Sequence, residues 1–401
     1  MIPWLDIVGV TESEMPVIPP GRTIIGPSRL LDRLAPAPAT EGRGPPHAKT
    51  VEWPSGLDAM LAQVEAHRGT PTTILASGDP LWFGIGSTLL RHLDPAEIRF
   101  APAASSFQLA AARLRWPLQH VATLSLHARP AELIHPHIAP GNRILALTSD
   151  ATTAPHVARL LVERGYGRSV LTILENLGAA DERIASAAAA GFDLSINDFH
   201  VLAVDCAADP GAPLLAAIPG LPDDAFVSDG QLTKREVRAV TLARLSPYPG
   251  AQLWDVGAGS GSIGIEWMRA ARDATATAFE REGERLQMIA VNAARLGVPH
   301  LAIAPGDAPD TLHGHAAPDA VFLGGGVADE PLFHACWTAL RSGGRFVANA
   351  VTLDAEAALF RRQARLGGEL VRIEIAALDR IGDHRALRPR LPVTQWAVTK
   401  P

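Results

Sequence analysis

A glycine-rich segment, residues 253–264, carries the residues whose types and spacing are best suited to holding a cofactor. An apolar run ends at Asp255, and Gly257, Gly259 and Gly261 follow at alternate positions before a helical pattern begins. This order predicts a strand, a tight turn and the start of a helix, because glycine lets the backbone turn sharply and lets a ligand approach its N–H groups. The segment therefore predicts a cofactor site at the end of a strand.

Two cofactors fit this segment. The spacing Gly259-x-Gly261-x-x-Gly264 is typical of dinucleotide binding. Asp255 instead favours S-adenosylmethionine (SAM), because a carboxylate at the strand end could hold the ammonium group of the methionine moiety. Glu280 ends the next apolar run at a spacing suited to ribose hydroxyls, and it fits either cofactor. SAM is therefore the preferred prediction on the strength of Asp255, and NAD(P) stays the alternative.

Strand-like runs alternate with helical patterns along the chain, which indicates an α/β protein with largely parallel sheets. In the first half the predicted strands are 5–10, 73–76, 98–101, 121–124, 143–147, 170–174 and 200–204, with helices at 82–93, 106–114 and 155–163. The second half predicts strands at 253–256, 275–280, 301–303, 320–323, 345–351, 370–377 and 392–399, which form a doubly wound sheet with a closing hairpin. Ligands of such sheets bind beyond the carboxyl ends of the strands. Asp255, Glu280, Asp307 and Gly324 are all predicted to lie there.

Loops and helix starts are indicated by proline, glycine and capping residues. Residues 36–46, rich in Pro, Ala and Gly, predict a loop. Prolines and glycines, which interrupt helices and strands, are concentrated after residue 206. They predict domains at 1–206 and 226–401 with a linker at 207–225. Thr233 and Glu236 predict a capping box at a helix start. A hydroxyl of the Ser105-Ser106 pair is expected to cap the helix that follows it.

The composition indicates a globular protein of two or three domains. The chain has 401 residues, 47% of them hydrophobic, and a formal net charge of −6. The charge balance gives no basic surface for nucleic acid, and no run of about 18 apolar residues predicts a membrane span. No secretory signal is expected, and two distant cysteines, Cys206 and Cys336, fit a cytoplasmic location. Histidine pairs such as His135-x-His137 and His313-x-His315 lack a clear third ligand, so no metal site is expected.

Several long segments of both halves resemble one family. These segments are 75–84 (Leu-Ala-Ser-Gly-Asp-Pro-Leu-Trp-Phe-Gly), 104–110, 124–130 and 171–178 in the first half, and 228–238 and 253–269 in the second. In them the chain resembles the precorrin-6Y C5,15-methyltransferase (decarboxylating) family of cobalamin biosynthesis. The resemblance implies an N-terminal two-lobed tetrapyrrole methylase domain followed by a C-terminal Rossmann-like class I SAM-dependent methyltransferase domain.

The resemblance also implies a reaction and partners. The first domain would methylate precorrin-6B at C5. The second would methylate C15 and decarboxylate the ring C acetate, giving precorrin-8. The implied cofactor is SAM, the implied partner is the tetrapyrrole, and a homo-oligomer is expected.

Site residues follow from the resemblance together with the strand-end positions of Asp255 and Gly324. In the first domain the predicted SAM contacts are Gly9, Ser77, Gly78, Asp79, Ser105, Ser106 and Thr148. In the second they are Thr233, Asp255, Gly257, Ala258, Gly259, Ser260, Gly261, Glu280, Asp307, Ala308 and Gly324.

The substrate's carboxylates predict basic side chains around it. Lys234, Arg235 and Arg238 at the predicted helix start are candidates, as is Arg129, and solvated helix charges are the alternative interpretation. His127 is a candidate proton donor near the macrocycle, or else a hydrogen-bonded structural histidine.

Three departures from the family pattern leave alternatives open. Residues 11–14 follow Gly9 where a glycine-rich loop is usual, Ala128 replaces a glycine, and Ser228 replaces a histidine. The first function is therefore the bifunctional methyltransferase and decarboxylase. The second is a SAM methyltransferase/decarboxylase whose first domain is an inactive scaffold, and the third is an NAD(P) oxidoreductase. A cobalt-precorrin is the alternative substrate.

Overall fold

The computed structural model describes residues 3–13, 15–19, 21–34 and 49–401, and the predicted loop at 36–46 lies outside them. The chain forms two compact units. The first domain comprises residues 1–129 and 140–212, and the second comprises residues 130–139 and 213–401.

The domain boundary corrects the predicted linker 207–225. The chain leaves the first domain at Ala212, so the linker is divided between the units. Leu215 and Leu221 are buried in the hydrophobic core of the second domain, which explains why this breaker-rich segment is not a free linker. Segment 130–139 also belongs to the second domain, where it packs beside a helix, although it was predicted within the first.

The first domain contains two five-stranded sheets. Its strands are Leu5–Val10 (β1), Thr23–Gly26 (β2), Lys49–Glu52 (β3), Thr72–Ser77 (β4), Ile98–Ala101 (β5), Val121–Ser125 (β6), Arg143–Leu147 (β7), Val170–Glu175 (β8), Arg183–Ala188 (β9) and His200–Asp205 (β10). Its helices are Ser28–Leu31 (α1), Leu57–Glu65 (α2), Ile85–Leu89 (α3), Ser106–Leu114 (α4) and Thr153–Glu163 (α5).

The two sheets of the first domain differ in strand direction. The first has the order β3-β2-β4-β1-β5 and is parallel throughout. Its inner strands β1 and β4 are apolar runs buried along nearly their whole length, as central parallel strands require. The second has the order β6-β7-β10-β8-β9 and is parallel only between β6 and β7. The prediction of a largely parallel sheet is therefore wrong for this lobe, where β10 runs antiparallel to both neighbours.

The second domain is built on a seven-stranded sheet. The nine strands of this domain, of which β17 and β18 lie outside that sheet, are Gln252–Val256 (β11), Thr275–Glu280 (β12), Ala302–Pro305 (β13), Ala320–Leu323 (β14), Arg345–Ala350 (β15), Glu369–Ile373 (β16), Ala376–Ile381 (β17), His384–Pro389 (β18) and Val393–Thr399 (β19). Its helices are Arg235–Leu245 (α6), Ser262–Ala270 (α7), Gly283–Arg295 (α8), Glu330–Ala339 (α9) and Leu353–Leu366 (α10).

The strand order of this sheet is β13-β12-β11-β14-β15-β19-β16. Strand β19 runs opposite to the other six strands. The order reverses between β11 and β14, and such a switch point is where ligands bind in open α/β sheets. The doubly wound sheet is confirmed. The single strand predicted at 370–377 is wrong, because β16 ends at Ile373 and β17 pairs with β18 in a separate ribbon.

Candidate active sites

The predicted glycine turn joins β11 to α7 at the switch point of the second-domain sheet. Gly257, Gly259 and Gly261 have φ angles of +73°, +59° and +76°, which side-chain-bearing residues rarely adopt. A Cβ on Gly257 would lie 2.8 Å from the backbone nitrogen of Gly325. Two backbone segments meet there, so both conformation and space require glycine at position 257.

Asp255 lies beneath this turn and is buried. Its Oδ2 accepts a hydrogen bond of 2.9 Å from the Gly264 N–H, whereas its Oδ1 is buried without a hydrogen-bond partner. The pKa of Asp255 is raised to about 7, chiefly by burial and in smaller part by the nearby charge of Glu280, while the hydrogen bond from Gly264 opposes the rise. The role of Asp255 in holding an ammonium group stays a prediction, which only Oδ1 could fulfil.

Glu280 fixes the same turn from the end of β12. One carboxylate oxygen accepts from the Gly259 N–H at 2.8 Å, and the other accepts from the two residues that follow Glu280. The N–H groups of Gly257 and Ala258 both donate to the main-chain oxygen of Phe279, at 3.0 and 3.1 Å. The β12 end therefore holds the turn by three hydrogen bonds.

The other predicted residues of this site lie at neighbouring strand ends. Ser260 is buried, and its main-chain oxygen accepts from Asn292 at 3.0 Å. Gly324 follows β14, and its N–H donates to Val256 at 2.9 Å. Asp307 and Ala308 follow β13, and the exposed Asp307 carboxylate lies 3.6 Å from Arg281. These residues are brought to one edge of the sheet, as predicted from the strand ends.

The start of α6 differs from its prediction. The helix begins at Arg235 with Lys234 at the N-cap, and no side-chain hydrogen bond caps it. The capping box of Thr233 and Glu236 is therefore wrong. Thr233 and Lys234 are half-buried, so a contact of either with a ligand remains a prediction.

Arg238 is a structural residue of the second-domain core. It has no exposed surface, and its Nε donates to Glu266 at 2.5 Å. It also binds Asp223 at 3.2 Å and the main-chain oxygens of Leu221 and Thr233. The prediction that Arg238 meets the substrate is wrong, because these contacts and complete burial leave it no access to a cleft.

The first domain has a cleft of about 410 Å³, lined by strand ends of both its sheets. From the first sheet come Ser77 and Gly78, and from the second come His127 and Thr148. Helix α4 contributes Ser106. The cleft thus brings together residues that were predicted from separate segments.

Close backbone packing shapes the floor of this cleft. A Cβ on Gly9 would lie 2.4 Å from the main-chain oxygen of Gly78 and 2.6 Å from the nitrogen of Ala103. Gly78 has a φ of +67°, and its own Cβ would lie 3.1 Å from Ser105 Cα. Gly9 therefore lets the 78 turn and the 103–105 loop meet behind β1.

Hydrogen bonds fix the remaining first-domain residues. Ser105 caps α4 in a capping box with Gln108, which confirms the predicted cap. The Asp79 carboxylate accepts from the Leu81 N–H at 2.8 Å, a local turn contact. Thr148 Oγ1 donates to the main-chain oxygen of His200 at 2.7 Å, and the exposed His127 has Nδ1 3.2 Å from the main-chain oxygen of Thr148.

Comparison with known proteins decides the family. Residues 24–193 match the tetrapyrrole (corrin/porphyrin) methylases, and residues 224–400 match the precorrin methyltransferase domain. A precorrin-6Y C(5,15)-methyltransferase (decarboxylating) of Sinorhizobium sp. is 45% identical over 99% of this chain and 97% of its own length. The chain belongs to the precorrin-6Y C5,15-methyltransferase (decarboxylating) family.

Two shorter relatives of this methyltransferase come from Salmonella typhimurium. A cobalt-precorrin-6B C(15)-methyltransferase (decarboxylating) is 32% identical over 178 residues, which cover 42% of this chain and 89% of that protein. A cobalt-precorrin-7 C(5)-methyltransferase is 33% identical over 129 residues, which cover 32% of this chain and 63% of that protein.

Sequence reasoning on this precorrin methyltransferase missed several of the described residues that line the first-domain cleft, and Arg29 is the one arginine among them. Arg29 lies in the cleft and donates to Glu12 and to Ser77, which are 17 and 48 residues away in sequence. No local pattern indicates a contact of that separation.

No helix in the described part of this methyltransferase is both long and apolar enough to cross a membrane. Within the same residues, no three His, Cys, Asp or Glu side chains form a group that could hold a metal ion.

Proposed function

We propose that this chain methylates one tetrapyrrole at two carbons, with SAM as the methyl donor. The first domain acts at C5, and the second acts at C15 and releases the ring C acetate carboxyl as CO2, so that precorrin-6B gives precorrin-8. One observation carries the division of labour: each domain has its own strand-end site built on closely packed glycines, at Gly78 and at Gly257. The Salmonella relatives support it, since each covers less than half of this chain and is named for one methylation.

The second-domain residues fit SAM. The turn at 257–261 approaches the neighbouring backbone so closely that a Cβ at Gly257 would fill the space, and Asp255 Oδ1 is a buried acceptor without a partner. We assign the methionine ammonium to Asp255, the ribose hydroxyls to Glu280, and the rest of the nucleoside to the residues around Asp307. In the first domain the cleft floor at Gly78 and Thr148 has the corresponding role.

When bound, SAM supplies an electrophilic methyl group on a sulfonium. The protein's task is then chiefly to orient the acceptor carbon, and orientation contributes up to roughly 7–11 kcal/mol in ideal cases. The rigid turn at 257–261, fixed by Glu280 and Phe279, is suited to that task.

Two side chains are assigned to the tetrapyrrole. Lys234, half-buried at the start of α6, binds a substrate carboxylate in the second domain. In the first domain His127 donates from Nδ1 to Thr148, and its Nε2 exchanges a proton with the macrocycle. We assign decarboxylation to the C15 site: as CO2 leaves, the electron pair of the broken C–C bond passes into the protonated, conjugated macrocycle, and tautomerisation returns a proton to the acetate carbon, which becomes a methyl group.

A homo-oligomer through the β17–β18 ribbon is part of the proposal. Leu378 and Leu387 face each other across this ribbon and are 67% and 69% exposed. A two-stranded ribbon is marginally stable alone, and its free edges can pair with a second copy. Light scattering of the wild type and of Leu378→Asp tests this, with a fall in molar mass expected for the variant. A cytoplasmic location stays a prediction from cysteine usage.

Mass spectrometry of the product tests the reaction. The full chain is incubated anaerobically with precorrin-6B and methyl-labelled SAM. Two labelled methyls and loss of CO2 are expected. One labelled methyl with loss of CO2 would instead leave the first domain as a scaffold, the alternative raised by its unusual N-terminal loop.

A further inference from the structure

The first-domain cleft must receive a substrate with many carboxylates, so its permanent positive charges decide how that substrate binds. Among the described residues that line this cleft, Arg29 is the one lysine or arginine. His127 and His200 also line it, but burial lowers the pKa of His200 and so favours its neutral form. The other charged lining residues, Glu12 and Asp198, are acidic. Arg29 is therefore the permanent cation that a substrate carboxylate meets there.

Arg29 contacts three separate parts of the first domain. Its guanidinium donates to the Glu12 carboxylate and to the Ser77 hydroxyl. Its Cζ lies 4.7 Å from the centroid of the Phe199 ring. Ser77 ends β4 in the first sheet and Phe199 precedes β10 in the second, so the guanidinium spans the cleft between them. The side chain is 41% exposed, which leaves it accessible to a ligand.

Glu12 is held independently of Arg29. Arg33 Nη1 lies 3.0 Å from the Glu12 carboxylate, and Arg33 Nη2 donates to the main-chain oxygens of Thr11 and Glu12 at 3.0 and 2.8 Å. If Arg29 turns to another carboxylate, Glu12 keeps an ion pair and the loop keeps its anchor. An exchange of carboxylates at Arg29 therefore leaves no buried or unpaired charge behind.

We propose that Arg29 binds a side-chain carboxylate of the tetrapyrrole in the first-domain cleft, in exchange for Glu12. Guanidinium suits this role because its planar fork binds a carboxylate through two charge-assisted hydrogen bonds. The inference rests on the proposed C5 methylation in this domain. The N-terminal loop, where the family's glycines are missing, then takes part in substrate binding, because it carries the Glu12 carboxylate that the substrate carboxylate replaces.

Arg29→Gln in the full chain tests the proposal. The number of labelled methyls per tetrapyrrole is measured by mass spectrometry while the precorrin-6B concentration is varied with methyl-labelled SAM in excess. The concentration that gives half of the C5 methyl is expected to rise about tenfold to a hundredfold, the range for loss of a hydrogen bond to a charged group. The C15 methyl, the loss of CO2 and the SAM concentration dependence are expected to stay at wild-type values. Arg29→Lys is expected to restore part of the loss, because lysine binds carboxylates as a point charge.

Arg113→Gln is the matched control. Arg113 lies in the same domain, is 40% exposed, and pairs with Glu182 at 2.5 and 2.9 Å outside the cleft. It is expected to leave the C5 concentration dependence unchanged. Glu12→Gln is expected to lower the half-saturating concentration, because it removes the competing carboxylate.

The outcomes separate this inference from the proposed function. A wild type that adds only one methyl and releases CO2 would overturn the C5 reaction and the role of Arg29 together. A wild type that adds two methyls, with Arg29→Gln no different from Arg113→Gln, would overturn the role of Arg29 alone. The same conclusion follows if Glu12→Gln leaves the concentration dependence unchanged, which keeps the proposal testable even if Arg29→Gln fails to fold.

Discussion

The Asp255 carboxylate is bound to the first turn of α7 through the Gly264 N–H, at 2.9 Å, and its second oxygen is buried without a hydrogen-bond partner. Oδ2 therefore stabilises the glycine turn, whereas Oδ1 has lost its hydration without gaining a hydrogen bond, which destabilises the charged form. A buried carboxylate with a single hydrogen bond favours its protonated form.

Asp255 is expected to make the second domain less stable as the pH rises. Its pKa is raised to about 7, whereas that of an unfolded Asp is about 3.9, so between these values the native state holds a proton that the unfolded chain has lost. The free energy of unfolding therefore falls as the pH rises through this window. Asp255→Asn removes this dependence, so the free energy of unfolding of the variant is expected to rise relative to the wild type by roughly 2–3 kcal/mol between about pH 5 and about pH 8.

Urea unfolding at the two pH values, followed by tryptophan fluorescence, measures this difference. Asp307→Asn is the control, because that carboxylate is exposed. Equal gains for the two variants would contradict the assignment.

Gly257→Ala is expected to abolish C15 methylation and CO2 loss while C5 methylation continues. The new methyl group would stand 2.8 Å from the Gly325 nitrogen, so one of the two backbone segments must move. Gly250→Ala is a matched control, since Gly250 has a φ of +76° and no atom within 4 Å of an added Cβ. It incurs only the conformational cost, about 1–2 kcal/mol. Product mass spectra of both variants decide the matter, and equal C15 turnover would disprove the steric argument.

Much of the fold follows from local sequence, because central strands are apolar runs. Strands β1, β5, β7, β12 and β14 have the predicted bounds. The missed strands lack that signal. β2 is buried but has only four residues, β3 (Lys-Thr-Val-Glu) is polar, and β9, β17 and β18 are largely exposed. A short or exposed strand that is held by pairing with its neighbours shows little hydrophobic periodicity in its own sequence.

Site residues were likewise predictable where the signal is local in the sequence and were missed where it depends on distant residues. The 257–261 turn was predicted because its requirement for glycine is local and visible in the sequence. The burial of Arg238 was not predicted. Its partner Glu266 is 28 residues away, and whether the Arg238 side chain lies in solvent or in the core depends on tertiary packing. Arg29 was missed for the same reason.

Arg238→Met is expected to destabilise the second domain by about 3–5 kcal/mol, because it leaves the buried Glu266 carboxylate without its cation. Arg244→Met is the control, since its pair with the largely exposed Glu369 is expected to contribute less than about 1 kcal/mol. Urea unfolding measures both changes. A normally stable Arg238→Met with a raised half-saturating tetrapyrrole concentration for C15 methylation would instead restore the substrate-binding role that burial argues against.

Ala128→Gly is expected to stabilise the first domain by about 0.5–1 kcal/mol. Ala128 has a φ of +52°, where an L-residue loses about 1–2 kcal/mol and glycine does not, and part of the gain is offset by glycine's greater freedom in the unfolded chain. The residue follows His127, so the same change relaxes the backbone next to the proposed proton-exchange group. Ala128→Val is expected to have the opposite sign, because a β-branched side chain tolerates positive φ poorly. Thermal unfolding of the three proteins gives the order, and a valine variant as stable as the glycine variant would show that no strain is stored at this position.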